Sequence, residues 1–259
     1  MTSPWKPEQY EKFRSERSQP FFDLLSLVDP TAGGRVVDLG CGTGELTRVL
    51  HVKTQAKLTI GVDSSETMLA KSRQFTGDGL MFERADIETY EPAQPFDVVF
   101  SNAAFQWVDN HEALMPRLAA MVAPGGQLAF QIPSNADHVS HVTAREVAHE
   151  SPYTEAMQGY DRPWPVMPPE WYAEVLDGLG FGNLQVRLQV YGHTLNSPMD
   201  VVEWVKGTFL TDYQRRMPPK LFEQYLERYT TLLLARLGDR SPYFYAFKRI
   251  LVRGRKPAE

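Results

Sequence analysis

The sequence predicts an α/β protein built on a mainly parallel sheet with helices covering both faces. Three observations carry that prediction: short apolar runs alternate with helical stretches from Arg35 onward, the first run ends in a glycine-dense turn, and a late segment alternates apolar and polar residues one by one. Repeated strand and helix implies right-handed crossovers, which set the strands parallel.

Residues 7–28 read as helix, broken near residues 18–20, where Ser18 and Pro20 can start a second helix. Tyr10, Phe13 and Arg17 fall three and four apart and share a face. Residues 36–39 are a strand, 44–52 a helix, 58–62 a strand, and 65–73 a helix capped by Ser64 or Ser65. Strands follow at 80–85, 96–101 and 127–132, and a helix at 111–122 is closed by Pro124-Gly125-Gly126. Residues 134–150 read as helix, whereas 151–169, rich in Pro, Tyr and Trp, read as an ordered loop or lid. Leu184, Val186, Leu188 and Val190 alternate with Gln185, Arg187, Gln189 and Tyr191, which marks a strand with one wetter face near a sheet edge. Helices at 198–206 and 218–237 and a strand at 243–252 complete the chain. No repeat or clean linker interrupts it, so the helices after the fifth strand read as an inserted cap within a single domain over 1–259.

Composition bounds the function. The 259 residues carry 27 Lys+Arg against 32 Asp+Glu, a net charge of −5, which argues against a chain-wide footprint for nucleic acid or an anionic membrane. Cys41 is the only cysteine, so an intramolecular disulfide and a cysteine-based zinc site are excluded, and a reducing, cytoplasmic compartment fits. The first fifteen residues hold prolines and charges and do not read as a secretory signal. No apolar run approaches the roughly 18 to 20 residues that span a bilayer, so a soluble protein is expected. No obligate protein partner is evident.

The chemistry concentrates in Val36-Val37-Asp38-Leu39-Gly40-Cys41-Gly42-Thr43-Gly44, a strand that ends in a turn at a helix start. Glycines there let the backbone turn sharply and approach a ligand. The dinucleotide fingerprint Gly-x-Gly-x-x-Gly fails, because its last glycine would fall at Glu45, where a carboxylate opposes phosphate at the helix N-terminus. Asp38 with Gly40, Gly42 and Gly44 suits a ligand that lacks phosphate and carries positive charge. Asp63 ends the second strand, where a carboxylate can take both ribose hydroxyls of a nucleoside. Asp86 and Ile87 follow the third strand, as acceptor for an adenine amino group and cover for the ring. Asn102 ends the fourth strand at the ligand-binding edge, and Gln106 and Trp107 come next.

Together these residues resemble the class I S-adenosylmethionine-dependent methyltransferases over about residues 35–133. The resemblance implies a doubly wound, Rossmann-like, seven-stranded sheet with an antiparallel last strand. It also implies a cofactor-binding core at 35–133, an N-terminal helical lid at 1–30, helical cap insertions at 134–182 and 193–241, and final strands at 183–192 and 242–253. The cofactor implied is S-adenosyl-L-methionine, with S-adenosyl-L-homocysteine as product. Gly40 and Gly42 would meet its methionine portion, Asp63 its ribose, and Asp86 and Ile87 its adenine; Ser64, Met68, Asn102 and Trp107 complete the expected cofactor set.

A narrower resemblance rests on Trp5, Tyr10, Phe13, Glu16-Arg17-Ser18 and Pro20, on Asp63-Ser64-Ser65 with Met68, and on Asn102-Ala103 with Gln106-Trp107. Arg145-Glu146-Val147-Ala148, Glu203-Trp204-Val205 and Phe247 with Arg249 extend it. These are similar to the trans-aconitate 2-methyltransferases, which esterify a carboxylate of a small polycarboxylate. Such an acceptor is already ionised at neutral pH, so the expectation is in-line transfer with no catalytic base. An anion of this kind needs cationic partners; Arg17, Arg145, Arg249 and Lys206 are the candidates, with Tyr153, Tyr191 and Trp204 in support. His111, His138, His141, His149 and His193 make no evident pair with a carboxylate, and no metal is expected. The alternatives are a methyltransferase for another carboxylate, such as a malonyl thioester on acyl carrier protein, and a non-catalytic S-adenosylmethionine-binding protein. A nicotinamide oxidoreductase is disfavoured by Glu45.

Overall fold

The computed structural model describes residues 14–258, with side chains from Ser18 onward. Trp5, Tyr10, Phe13 and the side chain of Arg17 lie outside the described residues, as do residues 1–13 of the expected lid.

Helix α1 (Arg14–Leu25) runs through Pro20 without a break, which corrects the expected restart at residues 18–20. A proline inside a helix costs about 3 kcal/mol. Here Phe21 and Leu24 are fully buried beside it, in a cluster with Val36, Leu50, Val98, Phe100, Ala129 and Leu251, and that burial outweighs the lost hydrogen bond.

The alternation expected from Arg35 onward is present as β1 (Arg35–Leu39), α2 (Glu45–Thr54), β2 (Leu58–Asp63), α3 (Glu66–Ser72), β3 (Leu80–Arg84) and β4 (Phe96–Asn102). It continues through α4 (His111–Met121) and β5 (Val122–Pro133). One seven-stranded sheet has the order β3-β2-β1-β4-β5-β7-β6, with β6 at Gly182–Leu195 and β7 at Tyr243–Arg255. β1 pairs parallel with β2 and β4, β2 with β3, and β4 with β5, while β7 lies antiparallel to β5. β1 and β4 occupy the middle and are apolar without alternation: Val36, Val37 and Leu39 in one, and Val98, Val99 and Phe100 in the other, have no exposed surface. Central parallel strands covered on both faces read this way. β6 alternates and lies at the sheet edge, as its sequence period indicates.

The turn expected at Pro124-Gly125-Gly126 is instead part of β5. Phe96 pairs with Val122 and Val98 with Gln127, so residues 123–126 form a bulge in the ladder rather than a closing loop before it. Gly125 takes φ +73, which a side chain would oppose.

The described chain divides into two compact units. The first holds Arg17–Ser134, Pro165–Gln189 and the C-terminal stretch from Arg249, and contains α7 (Pro169–Gly178). The second holds Asn135–Trp164 and Val190–Lys248. Its helices are α5 (Val139–Ala148), α6 (Tyr153–Ala156), α8 (Met199–Lys206), α9 (Leu210–Arg216) and α10 (Pro219–Leu237). Its core is aromatic: Trp204, Tyr213, Tyr225, Tyr229, Tyr245 and Phe247 pack in one cluster, and the Tyr225 hydroxyl donates to the Ala144 carbonyl at 2.8 Å. Helix α9 lies between the two helices expected at 198–206 and 218–237, within the stretch expected as helical cap. No described helix is long and apolar enough to cross a membrane.

Candidate active site

The strand order reverses between β1 and β4, so the crevice for a ligand lies beyond the carboxyl ends of these strands. β1 ends in the glycine turn, whose Gly40, Gly42 and Gly44 have φ of +81, +57 and +76. The three are not equivalent. A Cβ on Gly40 would sit 2.2 Å from the Ala104 Cβ, and one on Gly44 would strike the Ser72 side chain and the Phe82 ring. A Cβ on Gly42 would meet nothing within 4 Å. Gly40 and Gly44 therefore serve close packing, and Gly42 is the point where a ligand can reach the backbone.

Asp63 ties this turn to the second strand. Its Oδ2 accepts from the Gly42 N–H at 2.9 Å and its Oδ1 from the Ser65 N–H at 2.8 Å, so both oxygens are held while each keeps a lone pair. Ser65, not Ser64, caps α3, by accepting from the Met68 N–H. Ser64 is exposed and its carbonyl accepts from Arg84 Nε. Asp38 is buried under the turn and accepts from the Thr47 hydroxyl at 2.7 Å. Burial, with the Asp63 charge adding to it, raises its carboxyl pKa to about 7. Asp86 is exposed after β3 and accepts from the Glu88 N–H through Oδ1. Ile87 Cδ1 lies 3.7 Å from where a Gly40 Cβ would be, which brings it to the same turn.

Beyond β4 the chain turns at Ala103, φ +55, into a 3-10 turn at Phe105–Trp107. Trp107 is about half exposed, at 49%. A buried pair holds this turn: His111 Nε2 meets the Phe105 carbonyl at 2.9 Å, and His111 Nδ1 meets the Tyr172 hydroxyl at 2.6 Å. The Tyr172 hydroxyl also accepts from the Met167 N–H, so its proton goes to His111 Nδ1, and the ring is neutral with its hydrogen on Nε2. Burial lowers the His111 pKa in agreement.

The crevice thus presents carboxylates and an open glycine backbone to a ligand, a set suited to a cation-bearing nucleoside. A protein-family profile described as a methyltransferase domain matches residues 10–186. The trans-aconitate 2-methyltransferase of Deinococcus radiodurans is 38% identical over 98% of this chain and 98% of its own length. That of Rhodopseudomonas palustris strain BisA53 is 40% identical over 89% and 90%. The chain belongs to the trans-aconitate 2-methyltransferase family. Solved structures agree in fold: the YcgJ protein of Bacillus subtilis covers 92% of this chain and 97% of its own with TM-score 0.61 at 15% identity. A Haemonchus contortus phosphoethanolamine N-methyltransferase 2 in complex with S-adenosyl-L-methionine covers 92% and 52% with TM-score 0.55 at 18% identity.

The cofactor of this methyltransferase is S-adenosylmethionine, and the residues present fit it. Space at Gly42 admits a ligand against the backbone, and Asp63 keeps acceptor capacity for two hydroxyls beside a buried second carboxylate. Asp38, Gly40, Gly42, Asp63 and Ile87 come together around one turn.

The basic residues expected on the acceptor side are dispersed. Arg145 in α5 pairs with Asp161, Nη2 to Oδ2 at 2.8 Å, and Lys206 pairs with Glu203. Trp204 and Tyr153 lie in the aromatic core of the helical unit, and Tyr191 is buried. Arg249, 5% exposed on β7, donates from Nη1 to Gln131 Oε1 at 3.1 Å. Among the histidines, His138 caps α5 and His141 packs on Phe209 and Trp164. Thr47, Gln131 and Tyr172 were missed by sequence reasoning. Only Thr47 left a usable signal, a hydroxyl nine positions after Asp38 on the helix that follows the turn.

Proposed function

We propose that this methyltransferase esterifies a carboxylate of trans-aconitate, using S-adenosylmethionine bound at the β1–β4 crevice. The observation that carries this reading is the identity of 38% to a trans-aconitate 2-methyltransferase across 98% of both chains, which leaves no part of the fold unaccounted for. The cofactor supplies an electrophilic sulfonium methyl. Gly40 and Gly42 take its methionine portion, Asp38 and Asp63 balance its positive charge, Asp63 receives the ribose hydroxyls, and Asp86 with Ile87 receives adenine. Ser64 and Met68 border the ribose, and Asn102 and Trp107 bound the methyl end.

The acceptor carboxylate is ionised at pH 7 and attacks without losing a proton. What this chain contributes is alignment and exclusion of water, and alignment alone reaches about 7 to 11 kcal/mol in favourable intramolecular cases. Arg17, Arg145 and Arg249 remain the candidates for holding the other carboxylates. The acceptor is a small molecule handled in the cytoplasm.

Incubation with labelled S-adenosylmethionine and a panel of carboxylates tests the reading. The expected result is a methyl ester of trans-aconitate formed faster than esters of monocarboxylates of similar size. Preferential turnover of malonyl-acyl carrier protein, or tight cofactor binding with no methylated acceptor, would overturn it.

A further inference from the structure

Asn102 ends β4 and is paired in register with Gln131 of β5, so the two side chains lie on one face of the sheet. Gln131 Nε2 donates to Asn102 Oδ1 at 2.6 Å, and Arg249 Nη1 donates to Gln131 Oε1 at 3.1 Å. Gln131 is fully buried. An amide can turn over and exchange its oxygen for its nitrogen, so its neighbours decide which end points where. A guanidinium has five donors and no acceptor, so Gln131 must offer it oxygen. That sends Gln131 Nε2 toward Asn102, and Asn102 must answer with Oδ1. The Nδ2 hydrogens of Asn102 are what remains; Nδ2 has no hydrogen-bond partner among the described residues and is not a sealed-off atom.

We propose that Gln131 and Arg249 are positioning residues that fix the Asn102 amide with its N–H donors toward the ligand crevice, where they meet an oxygen of the acceptor carboxylate. The polarity argues for the acceptor rather than the methyl donor. A sulfonium methyl is drawn to oxygen, and the other polar groups of the crevice, Asp38 and Asp63, are carboxyl groups that offer it oxygen. An N–H donor among them suits an anion, and the buried Arg249 cation polarises both amides so that this donor is strengthened. The inference rests on the carboxylate-methylation reading given above.

Gln131→Glu tests it with little change of volume. Glutamate still accepts from Arg249, but its second oxygen now requires a donor, so Asn102 turns over and shows Oδ1 to the crevice. The expected result is a fall of about tenfold or more in kcat/KM for trans-aconitate, larger than any accompanying change in the dissociation constant of S-adenosylmethionine. In an Asn102→Ala background the same substitution should cost nothing further, since Gln131 acts through Asn102. Wild-type kcat/KM in Gln131→Glu, or equal losses in both backgrounds, would overturn the proposal. The side-chain amide resonance of Asn102, assigned by its loss in Asn102→Ala, gives a readout independent of turnover. It should shift in Gln131→Glu and in Arg249→Met, and an unmoved resonance is also fatal. A wild-type enzyme that makes no ester of trans-aconitate defeats the functional reading alone, while the resonance still decides the amide order.

Discussion

Asp63 and Asp38 are both carboxylates within one crevice, yet their environments set different tasks. Asp63 is fixed by two backbone N–H groups and offers charge to ribose. Asp63→Ala is expected to weaken S-adenosylmethionine by about 1.5 to 3 kcal/mol, roughly 10- to 150-fold, in calorimetric titration, because hydrogen bonds to a charged group are lost. Asp38, raised to about 7 by burial and then by the Asp63 charge, holds a proton in the free protein that the unfolded chain has already released above its ordinary 3.8. Its contribution to folding stability is therefore greatest at low pH and declines as pH rises toward 7. A cationic ligand favours the ionised form, so cofactor binding should release a proton below about pH 7 and tighten as pH rises to that point. Asp38→Asn should remove both effects, and an affinity that is flat between about pH 6 and about pH 8 in the wild type would refute them. These acids were legible in the sequence because each stands at a strand end beside a local signal. The neighbours of Arg249 and Arg145 were not: Gln131 is 118 positions from Arg249, and the partner of Arg145, Asp161, lies in a segment without any motif.

At the scale of elements, the glycine turn makes a sharp contrast testable. Gly40→Ala drives a methyl into Ala104 at φ +81 and should fail to fold or melt far earlier. Gly42→Ala has open space around it and should fold at a cost of about 1 to 2 kcal/mol for its left-handed backbone. It should nevertheless lose most cofactor affinity, because the methyl occupies the approach. Thermal melts paired with calorimetry check both, and full cofactor binding by Gly42→Ala would contradict the assignment. The sequence reading placed α1 and β5 but erred on the break in one and the start of the other. Proline at position 20 and Pro124-Gly125-Gly126 are local stop signals, and each was overridden by nonlocal structure, the burial of Phe21 and Leu24 in one case and the β4 register in the other.

For the whole molecule, acid should be the damaging direction. His111 and His141 are buried and His138 is half-buried, which lowers each pKa from its ordinary 6.5, that of His141 to about 3. Unfolding exposes rings that take up protons, so stability is complete above about pH 6.5 and is lost as pH falls toward the folded values. His141→Phe should flatten this acid limb in melts followed from about pH 7 to about pH 4, and an unchanged slope would remove His141 from the account. The chemical step should behave differently. Single-turnover methyl transfer with both substrates saturating should show no essential group titrating near neutrality, and His149→Asn should leave its rate unaltered. A transfer rate abolished by one histidine substitution would point to an acceptor that must lose a proton.

The sheet order has a consequence for synthesis. β7 lies between β5 and β6, although β6 precedes it by dozens of residues and β7 is the last strand made. The five parallel strands can assemble as they leave the ribosome, but β6 emerges with no neighbour in the sheet until the chain has been completed through Arg255. Until then it carries an open backbone edge with Leu188 and Val190 exposed, which is the stretch where a stalled nascent chain would recruit chaperones or aggregate. Removing residues after 242 should therefore leave a product that is captured or degraded rather than a smaller folded enzyme.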